Sequence, residues 1–158
     1  MRMSDHGREL LTEWEGSKHE VYLDEAGLPT IGVGHLLTKD ELASGKILIL
    51  GEPVKYHDGL SNLQIDRLLT QDLAGAEGAV NSGITVALNQ NQFDALTSFV
   101  FNVGRQAFYT STLRKILNDG KYVKVPEQLR RWNRSGGKVV QGLINRRENE
   151  IKLFEGML

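Results

Sequence analysis

Apolar residues recur at helical spacing along six stretches of this 158-residue chain, and one short early region breaks that rhythm. Across residues 4–15, Leu10, Leu11 and Trp14 share one helical face, and Gly16 stands where a left-handed glycine commonly ends a helix. The runs 19–23 and 30–33 are short and partly β-branched or aromatic. Gly27 and Pro29 mark a loop between them, so a β-hairpin is expected. After Thr38 the pattern loses definition: residues 40–44 suit one helical turn, 47–50 a strand and 51–59 a surface loop.

Definition returns at Ser61. Ser61 with Gln64 forms a capping box and Leu60 with Ile65 a hydrophobic staple, opening a long helix that carries Leu68, Leu69, Leu73, Ala76 and Val80. Asn89 repeats the device with Gln92, and Leu88 with Phe93, ahead of a strongly apolar helix that ends at Gly104. Further helices are expected over 111–118, from Pro126 in a first turn to 133, and over 141–155, with the Ser-Gly-Gly at 135–137 as the break between the last two. The elements predict one α+β domain over 1–158: a small lobe with a hairpin or short sheet over 17–60, a connecting helix over 61–81 and a helical lobe over 82–158 together with the N-terminal helix at 4–15. A cleft between two lobes is a natural place to lay a polymer.

Composition agrees with a single compact domain, at 40% hydrophobic and 25% charged residues. The absence of cysteine excludes a disulfide scaffold, a cysteine-based zinc site and a thiol nucleophile. Charged residues are scattered through 1–20 and the Ile-Leu-Ile-Leu run at 47–50 is far below spanning length, so neither a signal peptide nor a membrane anchor is expected. The chain should therefore stay soluble in the cytoplasm in which it is made. Charge is uneven: residues 1–104 hold 7 Lys and Arg against 15 Asp and Glu, and residues 105–158 hold 12 against 5. The basic last third suits an anionic partner such as a wall polymer, a nucleic acid or lipid head groups, or simply a solvated helical surface.

His6, His19, His35 and His57 show no metal-ligand spacing, and no phosphate-binding loop or serine-hydrolase motif is present, so neither metal nor cofactor is expected. Carboxylate chemistry remains. With Leu10 at 0° and about 100° per residue, Glu15 falls near roughly 140°, bordering the apolar face, while Glu9 and Glu13 point away. The last turn of a helix and partial burial both oppose a further negative charge, the setting in which a carboxylic acid keeps its proton for general-acid work. On the helix alone, Glu15 reads more readily as a surface glutamate at a helix end; Asp24 alone reads as a turn former and Thr30 as a β-former after a proline.

The stretch EGSKHEVYLDEAGLPTIGVGH, residues 15–35, resembles the active-site segment of bacteriophage-type lysozymes, glycoside hydrolase family 24: a Glu, an Asp nine residues on, and a Thr six further that opens a Thr-Ile-Gly-x-Gly-His strand. The likeness continues in LLTQDLAGAEGAV, QFDALTSFVFNVG and GLINRRENE, and so covers most of the chain. It implies a lysozyme-like fold, with Glu15 as general acid, Asp24 activating or positioning water and Thr30 holding that water. It further implies that Leu36 and Phe101 line the sugar cleft, that His35 pairs with Asp72, and that one arginine of Arg146 and Arg147 lies near the acid; the apolar positions of that helix favour Arg147. Asn102 is left between a sugar contact and a helix-end cap, and Trp132 is given a structural role.

The implied activity is an endolysin muramidase. It would cut the β-1,4 bond between N-acetylmuramic acid and N-acetylglucosamine as a monomer on peptidoglycan glycan strands, reaching the wall through a holin and lysing the host. A lytic transglycosylase needs one acid and no bound water, which Asp24 and Thr30 argue against. A silent wall-binding module retains no need for all three residues. Nucleic-acid binding has only the basic last third in its favour, without a motif or aromatic platform.

Overall fold

In the computed structural model, which describes residues 1–158, the chain forms two compact units, residues 9–74 and residues 1–8 with 75–158. The boundaries fall inside α1 (Asp5–Glu15) and inside α3 (Asn62–Gly83). Both capping boxes read from the sequence form: Ser61 and Gln64 exchange backbone-to-side-chain bonds of 2.9 and 3.1 Å, and Asn89 and Gln92 bonds of 2.9 and 2.8 Å.

In residues 9–74 the expected hairpin is a three-stranded antiparallel sheet of β1 (Lys18–Leu23), β2 (Pro29–Gly32) and β3 (His35–Leu36). β2 is the buried strand, with Thr30, Ile31 and Gly32 inside, while β1 is largely exposed. Tyr22 lies opposite Thr30, and the register between Lys18 and Tyr22 is interrupted. The single helical turn expected after Thr38 is α2 (Lys39–Ser44), opened by a further capping box between Thr38 and Glu41.

The expected surface loop at 51–59 is corrected in part. β4 (Lys46–Ile49) pairs in antiparallel register with β5 (Glu52–Lys55), through a two-residue turn at Leu50 and Gly51. Both turn residues have positive φ, 49° and 87°, as a tight hairpin of this twist requires. Leucine is a costly occupant there, and the Gln71 side chain braces it, accepting from Leu50 N and donating to Leu48 O, each at 2.8 Å.

The other unit is helical. α4 (Gln90–Val103) is buried from Phe93 through Val100 and packs along α8 (Gln141–Phe154), which also contacts α7 (Val125–Arg130). α5 (Arg105–Tyr109) and α6 (Thr112–Asn118) lie between α4 and α7 in the chain, and Ser111 caps α6. α7 stops short of the expected residue 133. Its end tightens through bonds from Arg131 N to Gln128 O and Trp132 N to Leu129 O, and Asn133 O accepts instead from Val140 N. The helix break at 135–137 is itself a small hairpin, β6 (Arg134–Ser135) and β7 (Lys138–Val139), turned by Gly136 and Gly137 at φ 58° and 79°. No helix is long and apolar enough to cross a membrane.

Candidate active site

Glu15 is the last residue of α1 and is half-buried. Its carboxylate lies against the backbone of Gly34: a Cβ placed on Gly34, at φ 64°, would stand 2.6 Å from Glu15 Oε2. The second glycine of the Ile-Gly-Val-Gly-His run thus serves two needs, a left-handed turn between β2 and β3 and room for a carboxylate.

Asp24 follows β1 and fastens the loop to β2. Its Oδ1 accepts from Ala26 N at 2.9 Å and Leu28 N at 2.8 Å, while its own amide bonds Leu28 O at 2.9 Å. The turn-forming reading of Asp24 is therefore correct as far as one oxygen goes, and Oδ2 takes no part in those bonds. Thr30, only 3% exposed, donates from Oγ1 to Leu28 O at 2.9 Å. The same loop backbone thus holds both side chains.

Tyr22, paired with Thr30 across the sheet, lies in the field of both carboxylates. Its phenol is held protonated above the usual tyrosine range, first by burial and then by the negative charges of Glu15 and Asp24. Sequence reasoning passed over Tyr22, although alternation along β1 places it opposite Thr30.

His35, on β3, contacts a carboxylate with each ring nitrogen: Nδ1 lies 2.8 Å from Asp72 Oδ2 on α3, and Nε2 lies 2.9 Å from Glu41 Oε1 on α2. Both nitrogens must donate, so the ring is an imidazolium that ties three elements together. Burial works against that charge. The Asp72 hydrogen bond and charge, followed by those of Glu41, outweigh it and raise the His35 pKa from 6.5 to about 9. A raised folded-state value stabilises the fold fully below pH 6.5 and loses that contribution as pH rises through about 9. In urea denaturation, the stability gap between wild type and His35→Asn should therefore narrow by about 3 kcal/mol from about pH 6 to about pH 10. A gap independent of pH would contradict the charged triad.

Leu36 is 50% exposed on β3, and Phe101 is half-buried on α4. The sequence left one of Arg146 and Arg147 pointing inward. Both are buried, at 8% and 1% exposure, around a fully buried Glu150. Arg147 Nε stands 2.7 Å from Glu150 Oε1 and Arg146 Nε 3.2 Å from Oε2. Ser98 Oγ donates to Oε2 at 2.6 Å. Arg147 also donates to Asn102 Oδ1 at 2.7 Å, and its guanidinium lies over the Phe99 ring, which meets Trp132 edge-on. The signal for Glu150 was present, since it follows the two arginines at the four- and three-residue spacings that pair charges on a helix.

Comparison with known proteins places these features in a family. Residues 12–150 match the family model described as phage lysozyme. The endolysin of Salmonella phage P22 is 36% identical over 154 residues, covering 98% of this chain and 98% of that protein. The endolysin of Bacillus phage PZA is also 36% identical, over 159 residues, and the chain spans 55% of its length. Among solved structures, an endolysin from Escherichia coli O157:H7 phage FAHEc1 superposes with a TM-score of 0.83 at 33% identity, covering 100% of this chain and 96% of that one. A point mutant of P22 lysozyme gives 0.79 at 35%, covering 98% and 99%. With the family match extending over most of its residues, the chain belongs to the phage lysozyme family.

Proposed function

We propose that the protein is a phage endolysin with muramidase activity, hydrolysing the β-1,4 bond between N-acetylmuramic acid and N-acetylglucosamine in peptidoglycan. The observation that carries this reading is a pair of carboxylates held in one small sheet-bearing unit: Glu15 at the end of α1, seated against Gly34, and Asp24 in the loop between β1 and β2, whose Leu28 also bonds Thr30. Glu15 protonates the glycosidic oxygen as the bond breaks. Asp24 acts on the water that attacks the sugar, in the manner of an inverting glycosidase, where a gap of about 6.5 to 9.5 Å between carboxyl groups admits that water.

Hydrogen-bond direction assigns the parts. The Thr30 hydroxyl proton is committed to Leu28 O, so toward a water Thr30 Oγ1 is an acceptor. Asp24 Oδ1 is occupied by two amides, which leaves Oδ2 as the basic oxygen. A water donating one hydrogen to Thr30 and the other to Asp24 Oδ2 keeps its lone pair for the anomeric carbon, and Asp24 takes the proton as the new bond forms. Leu36 and Phe101 each offer an apolar face to a sugar ring. His35, Asp72 and Arg147 act by fixing backbone and side chains rather than by touching the reacting atoms.

The relatives' naming as endolysins supports action on the wall at host lysis. Passage to the wall through a holin-made opening and a monomeric state complete the proposal. Mass spectrometry of digested glycan strands tests the chemistry: reducing ends that have gained water are expected. Anhydro ends would mean a transglycosylase, and uncut strands a binding module.

A further inference from the structure

Asn102, at the exposed end of α4, has one side of its amide fixed by chemistry rather than by fit. Its neighbour is Arg147, whose guanidinium carries donors only. The atom that meets Arg147 must therefore be the amide oxygen, as the 2.7 Å contact from Nη2 to Oδ1 has it. Arg147 is itself held, almost fully buried, by the Glu150 carboxylate at 2.7 Å and by the Phe99 ring. The buried anion fixes the arginine, the arginine fixes the amide oxygen, and the Nδ2 group of this exposed residue keeps its hydrogens for another partner. An exposed asparagine ordinarily presents either end; this one is set to present donors.

We propose that Asn102 is a specificity-determining residue that donates from Nδ2 to the N-acetyl carbonyl of a hexosamine, a proposal that rests on the glycan-hydrolase reading above. A side chain locked as a donor selects most sharply for a partner that only accepts. On an amino-sugar strand the N-acetyl carbonyl is such a group, whereas a hydroxyl rotates to donate or accept and gains little from the lock.

Two substitutions separate these cases. Asn102→Asp keeps an oxygen for Arg147 and replaces the outward donor with a second acceptor; Asn102→Ala removes both. Binding is measured on the full chain carrying Glu15→Gln, so that no turnover intervenes, with an N-acetylglucosamine trisaccharide as probe. Thermal melting establishes that each variant is folded. The Asn102 side-chain amide signals, identified in nitrogen-edited spectra by their loss in Asn102→Ala, should shift as the trisaccharide is added. The dissociation constant should rise about tenfold in Asn102→Ala and at least as much in Asn102→Asp, the scale of one hydrogen bond. Unshifted amide signals, or an alanine variant that binds as tightly as its parent, would overturn the proposal. An aspartate variant that binds as tightly would overturn it too, because the partner would then be a hydroxyl. Each of these results stands apart from the hydrolase reading, which wild-type cleavage of peptidoglycan decides.

Discussion

Replacing Glu15 with glutamine is expected to leave the fold in place and to lower peptidoglycan lysis by about 10³-fold. Glutamine has nearly the size and shape of the native side chain and keeps its half-buried seat at the end of α1, but it has no acidic proton to give to a leaving oxygen. Tyr22 offers an internal check that the substitution has acted at the intended place. Burial, then Glu15, then Asp24 hold its phenol protonated, so loss of the Glu15 charge should let Tyr22 ionise at lower pH than in wild type, read from the ultraviolet absorbance of tyrosinate. Asp24→Asn should likewise lose most activity without opening the loop, because an asparagine Oδ1 accepts the same amides of Ala26 and Leu28, while a donor replaces the basic Oδ2. Wild-type lysis by a folded Glu15→Gln protein would remove the acid from the mechanism.

Much of the framework behind these residues is written in local chemistry. Ser61 with Gln64 and Asn89 with Gln92 announce helix starts because both halves of a capping box lie only three positions apart in the chain. The turn at Leu50 and Gly51 gives no such notice. Its left-handed leucine is tolerated because Gln71, twenty-one positions on, bonds Leu50 N and Leu48 O at the entry to the turn, and a contact of that range leaves no trace in the local pattern. Gly136 and Gly137 did carry a turn signal, but two residues on either side are too few to show strand alternation, so a hairpin was read as a helix break. At the site itself, the spacing of Glu15, Asp24 and Thr30 draws attention to three side chains. It does not tell which Asp24 oxygen is spent on the loop or which way the Thr30 hydroxyl points, since these depend on where Leu28 folds back. The charge state of His35 was likewise out of reach, because it needs Glu41 as well as Asp72.

Gly34→Ala is expected to lower activity by about 10²-fold, and Gly32→Ala is the control that shows why. The two glycines share φ 64°, so an alanine at either carries the same left-handed strain, about 1 kcal/mol. They differ in what the new methyl meets. At Gly32 the nearest atom is Ile65 Cγ2 at 3.7 Å, an ordinary contact; at Gly34 it is Glu15 Oε2 at 2.6 Å, which must move. The carboxylate is the far end of a flexible side chain, so moving it costs little stability, and the two variants should melt at similar temperatures. Displacing a catalytic acid by about 1 Å is a different matter, since transfer of its proton depends on alignment with the leaving oxygen, and misplacement on that scale costs about 10²-fold. Lysis by Gly32→Ala should therefore stay near wild type while that of Gly34→Ala falls. Equal losses in the two variants would mean that backbone strain, not the seat of Glu15, accounts for the effect. The comparison also separates Gly34 from a merely structural role: a glycine kept only for its turn has no reason to affect activity more than its neighbour two residues away.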